Sequence, residues 1–174
     1  MKTIKDQAEF NNSREFIIAN FCAVEIYINL LISNYFFGKP NYDFIANVME
    51  NPYTNFAFRL SVLEHTFPEK KEFNQYKNKL MRLSALRNLY AHNLPTELEN
   101  EGKLIYLFKN SKGTKFEPIN AEEIADEFYN LFKEIEGWLE EKIKEFGAAE
   151  GFKSEDAMKF ELGRAYTDLF EIGD

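Results

Sequence analysis

The chain has 174 residues, 45% hydrophobic and 16% aromatic, with a net charge of −8. This excludes a disordered polyelectrolyte and suits one domain with a real core. One cysteine excludes an internal disulfide, and two histidines with that cysteine make no zinc constellation, so no metal and no cofactor are expected.

The N-terminal stretch "MKTIKDQAEFNNSREF" lacks the apolar core of a signal peptide. A first helix is predicted from about Lys5 to Phe36. Its second half is apolar nearly all round, as in a helix buried on several sides. Asn20, Glu25, Asn29, Ser33 and Asn34 interrupt Phe16–Phe37, which argues for burial in protein rather than lipid. The expectation is a soluble, cytoplasmic protein with no membrane span. Cys22 sits in the same apolar stretch and reads as a buried thiol. Glu25, Asn29 and Ser33 recur every four residues and form one polar stripe. Gly38 and Pro40 end the helix.

"NYDFIANVMENP" reads as a short helix or turn. Asn51 then looks like an N-cap with Pro52 in the first turn, opening a helix through "YTNFAFRLSVLEHTF" that buries Phe56, Leu60 and Leu63 and stops at Pro68. A helix over about Glu69–Asn93 has Phe73, Tyr76, Leu80, Leu83 and Tyr90 at helical spacing, and Pro95 limits it. In "KLIYLFKNSKGTKFEPI" the pattern alternates, predicting a small β-hairpin at about residues 103–118 that must lie on the helices or pair with another chain. Asn120 and Glu123 fit a capping box. The helix that follows has Ile124, Phe128, Leu131, Phe132, Ile135, Leu139, Ile143 and Phe146 on one face. Trp138 reads as core or interface. A last helix over about 154–171 has Met158, Leu162, Ala165, Tyr166, Leu169 and Phe170 as its apolar side. The fold class is therefore all-α: a four- to five-helix bundle with a hairpin insertion, one domain over 1–174 with its core at about 5–147.

Charge is uneven. Residues 121–174 hold 16 acids and 6 bases, whereas residues 1–120 hold 15 bases and 13 acids. Lys70, Lys71, Lys77, Lys79, Arg82 and Arg87 make the third long helix basic. Such a stripe attracts a polyanion or is an ordinary solvated face.

That helix ends in "SALRNLYAHNLP". Arg87 and His92 leave an ideal helix axis ~140° apart, while Asn88 and His92 share a face. A guanidinium, an amide and an imidazole at one helix end can hold a phosphate and move a proton near neutral pH. A charged histidine near a helix C-terminus is also favoured by the macrodipole alone.

The segment "LRNLYAHN" resembles the signature of the HEPN superfamily (higher eukaryotes and prokaryotes nucleotide-binding domains): an arginine, a polar residue, and a histidine four to six residues on. The helical layout over about residues 5–147 is similar too. The resemblance implies a HEPN-like bundle that forms a homodimer, bringing two motifs into one cleft. It implies either a metal-independent endoribonuclease, as in toxins and phage-defence effectors, or a non-catalytic module binding a nucleotide, a nucleic acid or a protein. In one toxin subgroup a tyrosine two residues after the histidine is modified by a nucleotidyltransferase antitoxin. Here that position is Leu94, which weighs against that mechanism, though a cognate antitoxin of another kind or another protein partner stays open.

The expected catalytic residues are Arg87, Asn88 and His92, with RNA as substrate. RNA supplies its own nucleophile, the 2′-hydroxyl, so the site needs a base, an acid and positive charge on the phosphorane. Glu25 and Asn29 are supporting candidates that position Arg87 or His92. The alternative for Glu25 is a structural ion pair. Tyr90 is spaced as a core residue, with stacking on a base as its alternative role. His65 has no assigned role.

Overall fold

The computed structural model describes residues 7–67, 70–92, 96–98, 103–109 and 116–147. The expected C-terminal helix near 154–171, the "NSKG" turn and Pro95 lie outside them, as does the side chain of Asn120.

The protein is a helical bundle built round one rod. Helix α1 (Gln7–Phe37) packs against α3 (Phe56–Thr66), α4 (Lys70–His92) and α5 (Ala121–Glu145). Three neighbours on one rod explain why its sequence is apolar nearly all round. Ile17, Phe21, Val24, Ile28, Leu31 and Ile32 of α1 meet Leu60 and Leu63 of α3, Leu80, Leu83 and Leu86 of α4, and Phe128, Phe132 and Leu139 of α5. Each such side chain contributes ~1.5–3 kcal/mol on leaving water. By length and composition α1 could cross a bilayer, yet 56% of its most apolar stretch is buried inside the bundle. Two of its polar residues find partners close by in the chain. Asn20 Nδ2 donates to the Phe16 carbonyl (2.8 Å), and Ser33 Oγ accepts from the Asn41 backbone (2.7 Å).

Gly38 ends α1 at φ +69°, with its N–H on the Asn34 carbonyl. A left-handed residue there favours glycine and frees the chain to turn. A short helix α2 (Tyr42–Phe44), capped by Asn41, runs into a π-helical turn at Ile45–Met49. The expected cap at Asn51 is corrected. Asn51 Oδ1 accepts from Tyr53 N in a turn, and α3 starts four residues later, where Asn55 Oδ1 accepts from Phe58 N at 2.9 Å. Asn51 directly precedes Pro52, whereas Asn55 directly precedes Phe56. Asn51 with Pro52 makes a turn, and Asn55 is left to satisfy the helix's free N–H groups.

After α4 come β1 (Thr96–Leu98), β2 (Lys103–Lys109) and β3 (Phe116–Asn120), antiparallel in the order β1-β2-β3. The register pairs Thr96 with Ile105 and Ile105 with Asn120. The sheet therefore has one strand more than a hairpin. β3 passes directly into α5, and β2 and β3 lie against that helix. Trp138 of α5 stacks on Tyr76 of α4, ring centroids 4.3 Å apart, and its indole N–H donates to Glu72 (2.8 Å). The other end of α5 closes with Gly147 at φ +68°.

Candidate functional site

The last two turns of α4 lie against the first half of α1. Leu83, Leu86 and Tyr90 anchor that end of α4 in the core. Asn88 and His92 fall on the opposite side, and Arg87 at the border between the two. Arg87 is partly buried, and Asn88 and His92 are exposed.

Arg87 is held on three sides. Nη1 donates to Asn88 Oδ1 at 2.8 Å. The guanidinium carbon stands 4.5 Å from the Phe21 ring centroid, a cation–π contact. Nη2 lies 3.8 Å from Glu25 Oε2. The other oxygen of Glu25 accepts from Arg59 Nη1 at 3.1 Å. Glu25 thus lies between two guanidiniums, its shorter contact going to Arg59. The ion pair expected as the alternative for Glu25 is made with Arg59, and the second oxygen of the same carboxylate approaches Arg87.

A second arginine secures the end of the helix. Arg14 Nη2 donates to the Ala91 carbonyl at 2.8 Å, satisfying one of the free carbonyls of the last turn of α4. His92 follows that carbonyl. Sequence reading missed Arg14 and Arg59. The signal for Arg14 was its spacing: residues 14, 21 and 25 lie within ~40° of one another around an ideal helix. That face of α1 offers a base, a ring and an acid to the end of α4. Nothing in the sequence near Arg59 marks it as the partner of Glu25.

The remaining candidates divide. Asn29 is buried, one turn beyond Glu25, and its Oδ1 has no hydrogen-bond partner. No hydrogen bond joins it to Arg87 among the described residues. Tyr90 is corrected as a stacking residue: it is fully buried and its hydroxyl donates to the Ala121 carbonyl at 2.5 Å. Burial, with Asp126 adding to it, pushes its phenol well above the ordinary range. Cys22 is corrected too, because the residue is exposed. It lies one position beyond Phe21, off the buried stripe. Its sulfur is still sheltered enough that partial burial raises its pKa, Glu25 adds to that rise, and Arg87 opposes it. The thiol therefore lies within the electrostatic reach of Glu25 and Arg87.

Half of the basic stripe of α4 is neutralised by close acid partners. Lys77 pairs with Glu64 of α3 at 2.6 Å, Lys79 with Glu134 of α5, and Arg82 with Glu127 of α5 through two bonds of 2.6 and 2.7 Å. These bases join helices, and the acidic face of α5 supplies two of their partners. His65 Nδ1 lies 2.7 Å from the Ser61 carbonyl within its own helix. Among the described residues no cluster of three or more His, Cys, Asp or Glu side chains could hold a metal ion.

No family model, no curated protein and no solved structure matches this chain.

Proposed function

We propose that the protein is a metal-independent endoribonuclease of HEPN type. It would work as a homodimer in the cytoplasm, as an effector of toxin or phage-defence kind restrained by an antitoxin or another protein partner. The observation that carries this reading is the end of α4. There a guanidinium, fixed by Asn88 and Phe21 and only loosely paired with Glu25, shares two helical turns with an exposed imidazole.

The chemistry follows from those groups. His92 of one protomer accepts the proton of the RNA 2′-hydroxyl, whose oxygen attacks phosphorus. The bond from phosphorus to the 5′-oxygen breaks, and the partner's His92 protonates that oxygen. The products are a 2′,3′-cyclic phosphate and a 5′-hydroxyl. Arg87 neutralises the phosphorane oxygens. A phosphate can draw Arg87 from its 3.8 Å contact with Glu25 because Arg59 continues to neutralise that carboxylate.

A second reading is a non-catalytic module binding a nucleotide, a nucleic acid or a protein. Pairing of Lys77, Lys79 and Arg82 with acids favours it, since half of the positive charge in that stripe is already taken up and less is left for an RNA backbone. Incubation with single-stranded RNA in EDTA separates the two. The ribonuclease reading expects cleavage by the wild type and none by His92→Ala or Arg87→Ala. Cleavage that needs a divalent metal, or equal cleavage by His92→Ala, overturns it.

A further inference from the structure

The far end of α1, away from Arg87, presents an apolar surface. Tyr35, Phe36 and Phe37 are 59%, 57% and 47% exposed. Three consecutive large aromatics left in water mark a contact surface. Phe36 and Phe37 both lean on Phe44, with ring centroids 6.3 and 5.1 Å away, which keeps the patch contiguous. Beside Tyr35 lies a pocket of about 320 Å³ lined by Leu31, Asn34, Tyr35, Thr66 and Phe146. Its wall includes an unused acceptor: Asn34 donates through Nδ2 to the Phe146 carbonyl at 2.8 Å, while its buried Oδ1 has no partner.

The described part of α5 ends at this place. Phe146 is a wall of the pocket, and Gly147, at φ +68°, turns the backbone off the axis of α5. Twenty-seven residues follow. Within them Met158, Leu162, Ala165, Tyr166 and Leu169 recur at helical spacing with charged residues between them, a pattern that needs an apolar surface to cover. Residues 148–153 span at most ~20 Å, so the stripe begins within reach of the pocket. Residues 148–174 have seven acids and three bases, whereas exposed Lys39 and Lys144 stand two residues from Phe37 and Phe146. Tethering favours this occupant over a separate molecule, because a short linker sets an effective concentration of about millimolar.

We propose that residues 154–170 of this chain seat their apolar stripe on Tyr35, Phe36, Phe37 and the adjoining pocket, covering the end of α1 in cis.

The test uses the full chain with Phe36→p-benzoylphenylalanine. Unlabelled and heavy-nitrogen-labelled protein are mixed, irradiated at low micromolar concentration, and the crosslinked peptides mapped by mass spectrometry. Crosslinks from position 36 to residues 154–170 of the same chain are expected. Adding Leu162→Asp should lower their yield by about tenfold while the helical circular dichroism persists. Crosslinks of mixed label, which would put a second copy on the patch, overturn the proposal. So does the absence of any crosslink to residues 154–170, or a yield that Leu162→Asp leaves unchanged.

Discussion

Glu25 on α1 approaches Arg87 on α4 to 3.8 Å while gripping Arg59 on α3 at 3.1 Å, so one carboxylate joins three helices. Its side chain and that of Arg59 are only 21% and 10% exposed. Glu25→Gln keeps the shape and removes the charge, leaving Arg59 without its counter-ion. The expected loss is roughly 1–3 kcal/mol in urea unfolding. A double-mutant cycle with Arg59→Met should show the two losses to be strongly non-additive.

Arg14 should control the order of the helix end on which the proposed chemistry depends. Arg14→Ala frees the Ala91 carbonyl, at an expected cost of about 1 kcal/mol. Amide exchange at residues 88–92 should quicken while that of Leu80 and Leu83 stays slow. Uniform acceleration along α4 would contradict a local clamp.

His92 is exposed, so His92→Ala should leave stability within about 0.5 kcal/mol. In the ribonuclease reading it lowers cleavage ~10²–10⁴-fold, and Arg87→Ala lowers it ~10²–10³-fold. Melting curves measured beside the cleavage rates separate lost chemistry from lost fold.

Tyr90 gives an alkaline signature. Burial raises its phenol pKa above the unfolded value, so the native state prefers the protonated form. Its contribution is fully present below pH ~10 and is lost as pH rises beyond that. Tyr90→Phe should flatten the alkaline limb of the stability curve. At neutral pH it should cost about 1 kcal/mol by removing the hydrogen bond from the Tyr90 hydroxyl to the Ala121 carbonyl.

Glu72, Trp138 and Lys142 form a node that titrates at both ends of the scale. Burial alone would raise the Glu72 carboxyl, but hydrogen bonds from Lys142 and Trp138 outweigh it and hold it below the usual range. Burial alone would lower Lys142, but its bonds to Glu145 and Glu72 push it up to about 12. The Glu72 contribution is present above its unfolded pKa and fades as pH falls through its lowered one. The Lys142 contribution is present below its unfolded pKa and fades as pH rises toward 12. Trp138 fluorescence should hold constant between these limits, and Glu72→Gln should abolish the acid-side change.

Helical periodicity marked out the long helices of the bundle, because burying one face of a helix imposes a spacing that neighbours in the chain already display. Ile124 through Ile143 line the core as that spacing requires, and Leu60 and Leu63 do likewise. Gly38 was legible because ending a helix is a local act. The choice between Asn51 and Asn55 was not, since either asparagine can accept from a backbone N–H two or three residues on.

Within the candidate site, the sequence by itself determined that Arg87, Asn88 and His92 share one helix end, because their separation along the chain is a matter of helix geometry. Only the tertiary structure decided their surroundings. Arg59 reaches Glu25 across 34 residues, Arg14 reaches Ala91 across 77, and the lysines of α4 find acids on other helices. Those partners are set by which faces the packed core turns toward each other: the spacing of Arg14, Phe21 and Glu25 marks a face of α1, but nothing in the chain names what that face meets.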